Sequence, residues 1–216
     1  MLPPTPTIAT HIGPVLEALS LIGTFVFGAS GALAAARLRQ TLVTFAFFAL
    51  LTGVGGGTVR DLLIDAPVFW IHDPAPSIVC MVAAITVWIT PRRWWSDHAL
   101  DWLDAIGLAA FAVFGAAKAM SFGVPPFVAG MMGVVTGCVG GIMRDTLAGE
   151  PSILLRPELY VTAAAFASGL FVLLRLAGLD VPVAGVIAAQ LGYGRRALAI
   201  PPGRGVAPNK KAGEET

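Results

Sequence analysis

Long apolar runs alternate along the chain with short clusters of charged, Pro and Gly residues. A helix that crosses a bilayer needs roughly 20 mostly apolar residues, and fewer when basic side chains at its ends reach the headgroups. Seven runs meet this requirement: Val15 to Ala36, Thr41 to Ile64, Pro74 to Thr90, Trp102 to Phe122, Phe127 to Leu147, Leu159 to Leu174, and Val181 to Leu198. The last two have uncharged cores of only 16 and 14 residues and depend on Arg175, Arg195 and Arg196 at their ends. The pattern predicts an all-α integral membrane protein with seven transmembrane helices.

Composition supports the membrane. The 216 residues are 56% hydrophobic and 12% charged, against about 25% charged in a soluble domain. With a mean hydropathy of +0.79, a 22.4 kDa globule has too little polar surface to cover its apolar residues. A soluble enzyme is therefore not the first reading. The 14 basic and 13 acidic residues leave a net charge of +1, which creates no general field for nucleic acid or an acidic substrate. Cys80 and Cys138 lie inside apolar runs, so neither a disulfide framework nor a zinc site is expected. Met1 to Pro14 holds no Lys or Arg and the run after it is too long for a signal-peptide core, so that run is expected to be a retained span.

Charge placement sets the expected orientation. Arg37, Arg39, Arg92, Arg93, Arg144, Arg156, Arg195, Arg196, Arg204, Lys210 and Lys211 fall on one side of the seven spans, and Arg60, Lys118 and Arg175 on the other. The positive-inside bias then puts the N-terminus outside and the C-terminus in the cytoplasm. Trp94, Trp95 and Trp102 flank the Arg92 and Arg93 loop, with Trp70 opposite, as interfacial belts.

An internal repeat aligns without a gap at a spacing of 84 residues. Leu19, Ile22, Gly23, Phe27, Gly31 and Ala32 recur as Leu103, Ile106, Gly107, Phe111, Gly115 and Ala116. Thr52, Gly53, Gly56, Gly57, Arg60, Asp61, Leu63 and Pro67 recur as Thr136, Gly137, Gly140, Gly141, Arg144, Asp145, Leu147 and Pro151. Each copy holds three spans, so the second enters from the opposite side and the halves form an inverted pair. Transport proteins are often built this way, with their site between the repeats. The expected organisation is an extracytoplasmic segment 1–14, repeats over 15–90 and 91–176, a seventh helix in 177–200, and a disordered basic tail over 201–216.

Candidate chemistry concentrates in the duplicated Gly-Gly-x-x-Arg-Asp. Adjacent glycines at Gly55, Gly56 and Gly57, and at Gly140 and Gly141, mark places where a helix bends or opens. An opened helix in lipid needs protein or water to satisfy its backbone, which points to a hydrated interior. The alternative is close packing, because Gly53 and Gly57, like Gly137 and Gly141, stand four residues apart. Arg60 and Asp61, like Arg144 and Asp145, diverge by about 100° on a helix, so pairing across the two-fold, Arg60 with Asp145 and Asp61 with Arg144, is expected. Their other reading is as helix-end charges at the membrane surface. Lys118 reads either as a snorkelling anchor or as pore-facing. Asp101 and Asp104 read as helix N-terminal charges. His72 beside Asp73, and His98 near Asp97, lack further ligand spacing and are not metal sites. No nucleotide-binding loop, nucleophile elbow or His-Glu helix motif occurs.

The duplicated Gly-Gly-x-x-Arg-Asp, the segment Phe27-x-x-Ser30-Gly31-Ala32-Leu33, and Glu150-Pro151 followed by Leu154-Leu155-Arg156-Pro157-Glu158-Leu159-Tyr160 together resemble the bacterial branch of the trimeric intracellular cation (TRIC) channel family. The resemblance covers roughly residues 15 to 200. It implies seven helices in a three-plus-three inverted repeat with an added seventh, a homotrimer, and a cation pore in each protomer at Gly-kinked second and fifth spans. Lys118 corresponds to the lysine of the family's fourth-helix pattern. The chain departs from the animal members in having Thr58-Val59 before Arg60 where they carry a Lys-Glu motif.

These readings converge on a non-enzymatic, potassium-permeable channel in the cell inner membrane. Its pore and gating candidates are Gly55, Gly56, Gly57, Arg60, Asp61, Lys118, Gly140, Gly141, Arg144 and Asp145. No cofactor, metal or nucleic acid is expected; the molecules it would meet are permeant K+ or Na+ and bound membrane lipid. A small-solute carrier for glycine is the alternative, with Arg60 or Arg144 holding a carboxylate. A structural membrane protein whose glycines only pack helices is the third.

Overall fold

The computed structural model describes residues 13–91, 94–95, 98–152 and 160–198, so the expected tail over 201–216 and most of segment 1–14 lie outside the described residues. Among the described residues the chain forms eight helices: α1 (Pro14–Arg37), α2 (Leu42–Leu63), α3 (Phe69–His72), α4 (Ala75–Ile89), α5 (Ala99–Ser121), α6 (Pro126–Ala148), α7 (Tyr160–Leu176) and α8 (Val181–Ala197). Proline falls in the first turn of α1, α4, α6 and α8, where its fixed φ suits the helix and its missing N–H costs nothing. The apolar run expected to start at Trp102 begins three residues earlier, at Ala99, and carries Asp101 in the first turn, where the helix dipole favours an acid. The hydropathy pattern does not announce α3, a single turn between α2 and α4.

Four helices, α1, α2, α5 and α6, are long and apolar enough to cross a membrane, while α4 and α7 are apolar but shorter. The chain is thus an all-helical, multi-pass membrane protein. Helices α1 and α5 are the most enclosed and pack on each other at the centre. One core joins α1, α2 and α4 through residues such as Phe45, Phe48, Cys80, Ala83 and Val87. The other joins α5, α7 and α8 to α1 through Phe27, Leu108, Phe111, Ala164, Phe171 and Ala188.

The contacts reciprocate at the spacing of the repeat. A side chain added at Gly23 would strike the Phe111 ring, and one at Gly107 would strike the Phe27 ring. The two rings themselves pack 5.3 Å apart between centroids, tilted by 44°. Likewise Gly56 lies against the Thr136 carbonyl and Gly140 against the Thr52 carbonyl, so α2 and α6 cross backbone to backbone.

Helix ends repeat even where residue type does not. Arg39 (φ 54°) and Gly123 (φ 76°) are both left-handed, as are Asp65 (φ 52°) and Gly149 (φ 68°). The matching backbone bonds recur too: Gln40 N–H donates to Ala35 O as Val124 does to Ala119 O, and Ala66 to Asp61 O as Glu150 does to Asp145 O. These are six-residue closures that satisfy the last carbonyls of a helix.

Candidate functional site

Helices α2 and α6 cross backbone to backbone, and the cause is the absence of side chains. Gly56 meets backbone only, and the equivalent Gly140 would place a Cβ 2.5 Å from the Thr52 oxygen. Both helices keep unbroken helical geometry through their glycines. The close-packing reading of the Gly clusters therefore describes this conformation, and an opened helix is not seen in it. The neighbouring glycines serve other contacts: Gly55 faces the Met143 sulfur, Gly57 the Phe69 ring, and Gly141 the Tyr160 hydroxyl.

One turn beyond each crossing glycine, about 6 Å along the axis, sits a buried charge cluster. Arg60 and Asp61 are wholly buried and Lys118 is 7% exposed. Arg60 donates from Nε to Asp61 Oδ1 at 2.9 Å, and its Nη2 lies 2.8 Å from the same oxygen. Lys118 donates from Nζ to Asp61 Oδ2 at 2.9 Å. The Phe69 backbone N–H donates to Asp61 Oδ2 at 3.1 Å, and the Trp70 indole donates to Thr58 Oγ1 at 2.9 Å. The α3 turn is thereby latched over the cluster. The Arg60 guanidinium lies 5.1 Å from the Phe114 ring centre and 5.9 Å from that of Phe69, and Lys118 lies 5.7 Å from Phe69. Such contacts partly replace the water a cation loses on burial.

The second cluster inverts the charges. Arg144 donates from Nε to Asp145 Oδ1 at 2.8 Å and from Nη1 to Asp104 Oδ1 at 2.7 Å and Ser30 Oγ at 3.1 Å. Asp104 is wholly buried. A side chain added at Gly141 would strike both Tyr160 Oη and Asp104 Oδ1, so these converge over that glycine. Arg196, also wholly buried, lies 5.7 Å from the Tyr160 ring centre.

Four expectations are corrected here. Each arginine pairs with the aspartate that follows it, not with the aspartate of the other copy. The Cβ directions diverge as expected, but the long arginine stem lets the guanidinium swing back to its neighbour. Arg60 does stand in the last turn of α2, but it and the other three are buried within the protein and are not solvated helix-end charges. Asp104 is no mere helix N-terminal charge; it is a partner of Arg144 on another helix. Finally, Lys118 is a buried ion-pair partner and not a snorkelling anchor.

The two clusters follow one template with the charges exchanged. Asp61 serves two cations, while Arg144 serves two carboxylates; these six charged groups balance, and Arg196 stands beside the second cluster as a further buried cation. The exchange is made at positions where the repeat changes character: Ser20 against Asp104, Ala34 against Lys118, and Ser30 against Phe114. Asp104, Ser30, Phe69, Phe114, Tyr160 and Arg196 were not among the sequence-derived site residues. Reading where the two copies differ would have found Asp104, Ser30 and Phe114. Among the described residues no group of His, Cys, Asp and Glu could hold a metal ion.

The chain matches the family model described as "Glycine transporter" over residues 17–92 and 101–175. It is 43% identical over 149 residues to the UPF0126 inner membrane protein YadS of Escherichia coli K12, covering 67% of this chain and 72% of that protein. In structure it is similar to the TRIC trimeric intracellular cation channel orthologue from Rhodobacter sphaeroides, with a TM-score of 0.81 and 37% identity, over 87% of this chain and 98% of that one. A second solved TRIC cation channel matches with a TM-score of 0.75 and 28% identity, over 85% and 92% of the two chains.

Proposed function

Because the chain belongs to the glycine transporter family, which takes in the bacterial TRIC channels, we propose that it is a passive, potassium-permeable cation channel. On this reading it is a homotrimer with one pathway inside each protomer along the α2–α6 crossing. The halves 15–90 and 91–176 form an inverted pair across the membrane, α4, α7 and α8 complete seven spans, the N-terminus is outside and the C-terminus cytoplasmic. The reciprocal contacts and helix ends at the repeat spacing support the inversion, and the basic residues support the orientation.

The observation that carries the function is the pair of buried charge clusters standing one turn on either side of a side-chain-free crossing. Charges at such depth are costly and mark ion pathways. In the described conformation the crossing is closed by glycine against carbonyl. Parting α2 from α6 at Gly56 and Gly140 would free the Thr52 and Thr136 carbonyls for a cation. Asp104 adds a carboxylate: among the described residues its Oδ2 accepts no well-formed hydrogen bond, although the Tyr160 hydroxyl stands beside it.

The family's description favours a second reading, glycine carriage, and the geometry limits where a carboxylate would bind. Arg144 is engaged by Asp104, Asp145 and Ser30, whereas among the described residues Arg60 Nη1 has no hydrogen-bond partner and stands with Lys118 at Asp61. The carrier reading therefore places the substrate carboxylate at Arg60.

Planar-bilayer recording of the purified protein in symmetric and then asymmetric KCl tests the channel. Ohmic unitary events with a reversal potential shifted toward that of K+ are expected, and Asp104→Asn should lower their amplitude at least twofold. Silent bilayers together with saturable glycine uptake into vesicles would replace the channel with the carrier.

A further inference from the structure

Each half lays an aromatic side chain over the last glycine of its cluster, at Gly57 and at Gly141, but the two covers are anchored differently. Over Gly141 it is Tyr160, 1% exposed, the first residue of the 17-residue helix α7. The same helix sets Ala163, Ala164, Ala167 and Phe171 into the core, so Tyr160 leaves only if α7 does. Over Gly57 it is Phe69 of α3, a turn of four residues. None of the four is buried, and Ile71 and His72 are exposed. Val68 and Asp73, on either side, are extended, so α3 is continuous with neither α2 nor α4. A segment with so little buried apolar surface belongs to the least stable part of a fold.

Few contacts hold α3 down. Asp61 Oδ2 accepts from the Phe69 N–H, a donor for which so short a helix has no partner of its own, and Thr58 Oγ1 accepts from the Trp70 indole. The Phe69 ring fills the space that a side chain at position 57 would take. Beneath the ring lie the cationic groups of Arg60 and Lys118. These groups favour lifting, because buried charges regain hydration when water enters. Among the described residues Arg60 Nη1 has no hydrogen-bond partner while α3 is down. Lifting therefore breaks two hydrogen bonds and the partial packing of Phe69 and Trp70, and hydration of the cations offsets part of that loss.

We propose that α3 is a lid over the Arg60, Asp61 and Lys118 cluster, lifting as a unit about Val68 and Asp73 to admit water and small solutes to these charges. The Tyr160 cover of the other cluster stays shut, so the matching halves have one movable end and one fixed end. The lid controls access, and it does so whether the pathway serves a channel or a carrier.

Thiol labelling of the purified full-length protein in lipid nanodiscs tests this without any measurement of transport. Lys118→Cys places a reporter under the lid and keeps both the Arg60 to Asp61 pair and the Phe69 N–H bond. A cationic methanethiosulfonate is the reagent, and peptide mass spectrometry follows residue 118 together with Cys80 and Cys138, which are buried and serve as internal controls. With the lid intact, residue 118 should label far more slowly than an exposed cysteine. Thr58→Val and Trp70→Phe each remove one latch bond and should speed labelling about fivefold, the population shift expected on losing one hydrogen bond. Gly57→Ala, which puts a methyl under the Phe69 ring, should speed it at least as much. The rates at Cys80 and Cys138 should not change. Hydrogen exchange of the Phe69 amide in chains that retain Lys118 gives a second measurement, and it should quicken in Thr58→Val and Trp70→Phe while the body of α2 stays protected. Three results would overturn the proposal: labelling at residue 118 as fast as at an exposed cysteine with the lid intact, an unchanged rate or unchanged Phe69 exchange in both latch variants, or a parallel rise at Cys138, which would mean general loosening in place of a lid.

Discussion

Replacing Asp61 by asparagine would leave Arg60 and Lys118 buried together with no counter-charge. Asp61 meets both cations at 2.8–2.9 Å. At an effective dielectric constant near 20, each such contact is worth roughly 6 kcal/mol of gross attraction. Desolvation consumes much of that, and breaking a buried pair by removing one partner costs about 3 to 5 kcal/mol. Asp61→Asn should therefore destabilise the fold by about that amount. Lys118→Met behaves differently, because the neutral Arg60 and Asp61 pair survives; it should stay within about 1 kcal/mol of wild type, in line with the tolerance of buried ion pairs for apolar replacement. The double variant leaves only Arg60, flanked by Phe69 and Phe114, and should be more stable than Asp61→Asn alone by about 1 to 2 kcal/mol, a coupling expected of groups in direct contact. Unfolding of the purified protein in mixed micelles of rising SDS content gives the four free energies, and thermal melts followed by size exclusion check their order. Two results would refute the reasoning: Asp61→Asn within about 1 kcal/mol of wild type, or a double variant less stable than Asp61→Asn alone.

Two further expectations follow from the same geometry. Gly56→Ala and Gly140→Ala place a methyl against backbone carbonyls that cannot yield, so each should lower stability by about 1 to 3 kcal/mol; Gly57→Ala meets the Phe69 ring of the short α3 turn and should cost less, and melting temperatures that rank Gly57→Ala below Gly56→Ala would reverse the assignment of these contacts. Single cysteines introduced beyond Pro202 should react with a membrane-impermeant reagent only from the cytoplasmic side, and those before Pro14 only from outside; labelling of both ends from one side would remove the inverted pair.

The apolar runs and the spacing of 84 were enough to define the helical membrane class, the four long helices and the elements that match between halves. Both depend on local quantities: the length a helix needs to cross lipid, and residue identity at a fixed offset. The glycines were legible as special for the same reason, since only a missing side chain permits backbone contact. Which of them meets the other helix was not legible. Gly56 and Gly140 form the crossing while Gly57 and Gly141 receive aromatic residues, and that choice is set by the rotation of α2 against α6.

The charge network shows the same boundary most clearly. The repeat identified Arg60, Asp61, Arg144 and Asp145 as a duplicated set, and the run around Lys118 marked a lone cation in an apolar helix. Helical periodicity then pointed to the wrong pairing, because it describes Cβ directions and an arginine reaches well beyond its Cβ. Asp104, 40 residues from Arg144 in the chain, meets it only because α5 and α6 pack side by side. Sequence marked Arg60, Asp61, Arg144 and Asp145 as a duplicated set; tertiary packing decided that Lys118, Asp104 and Arg196 are buried as well and which charge answers which, because the partners of a buried ion are chosen by distance in space and carry no signature along the chain.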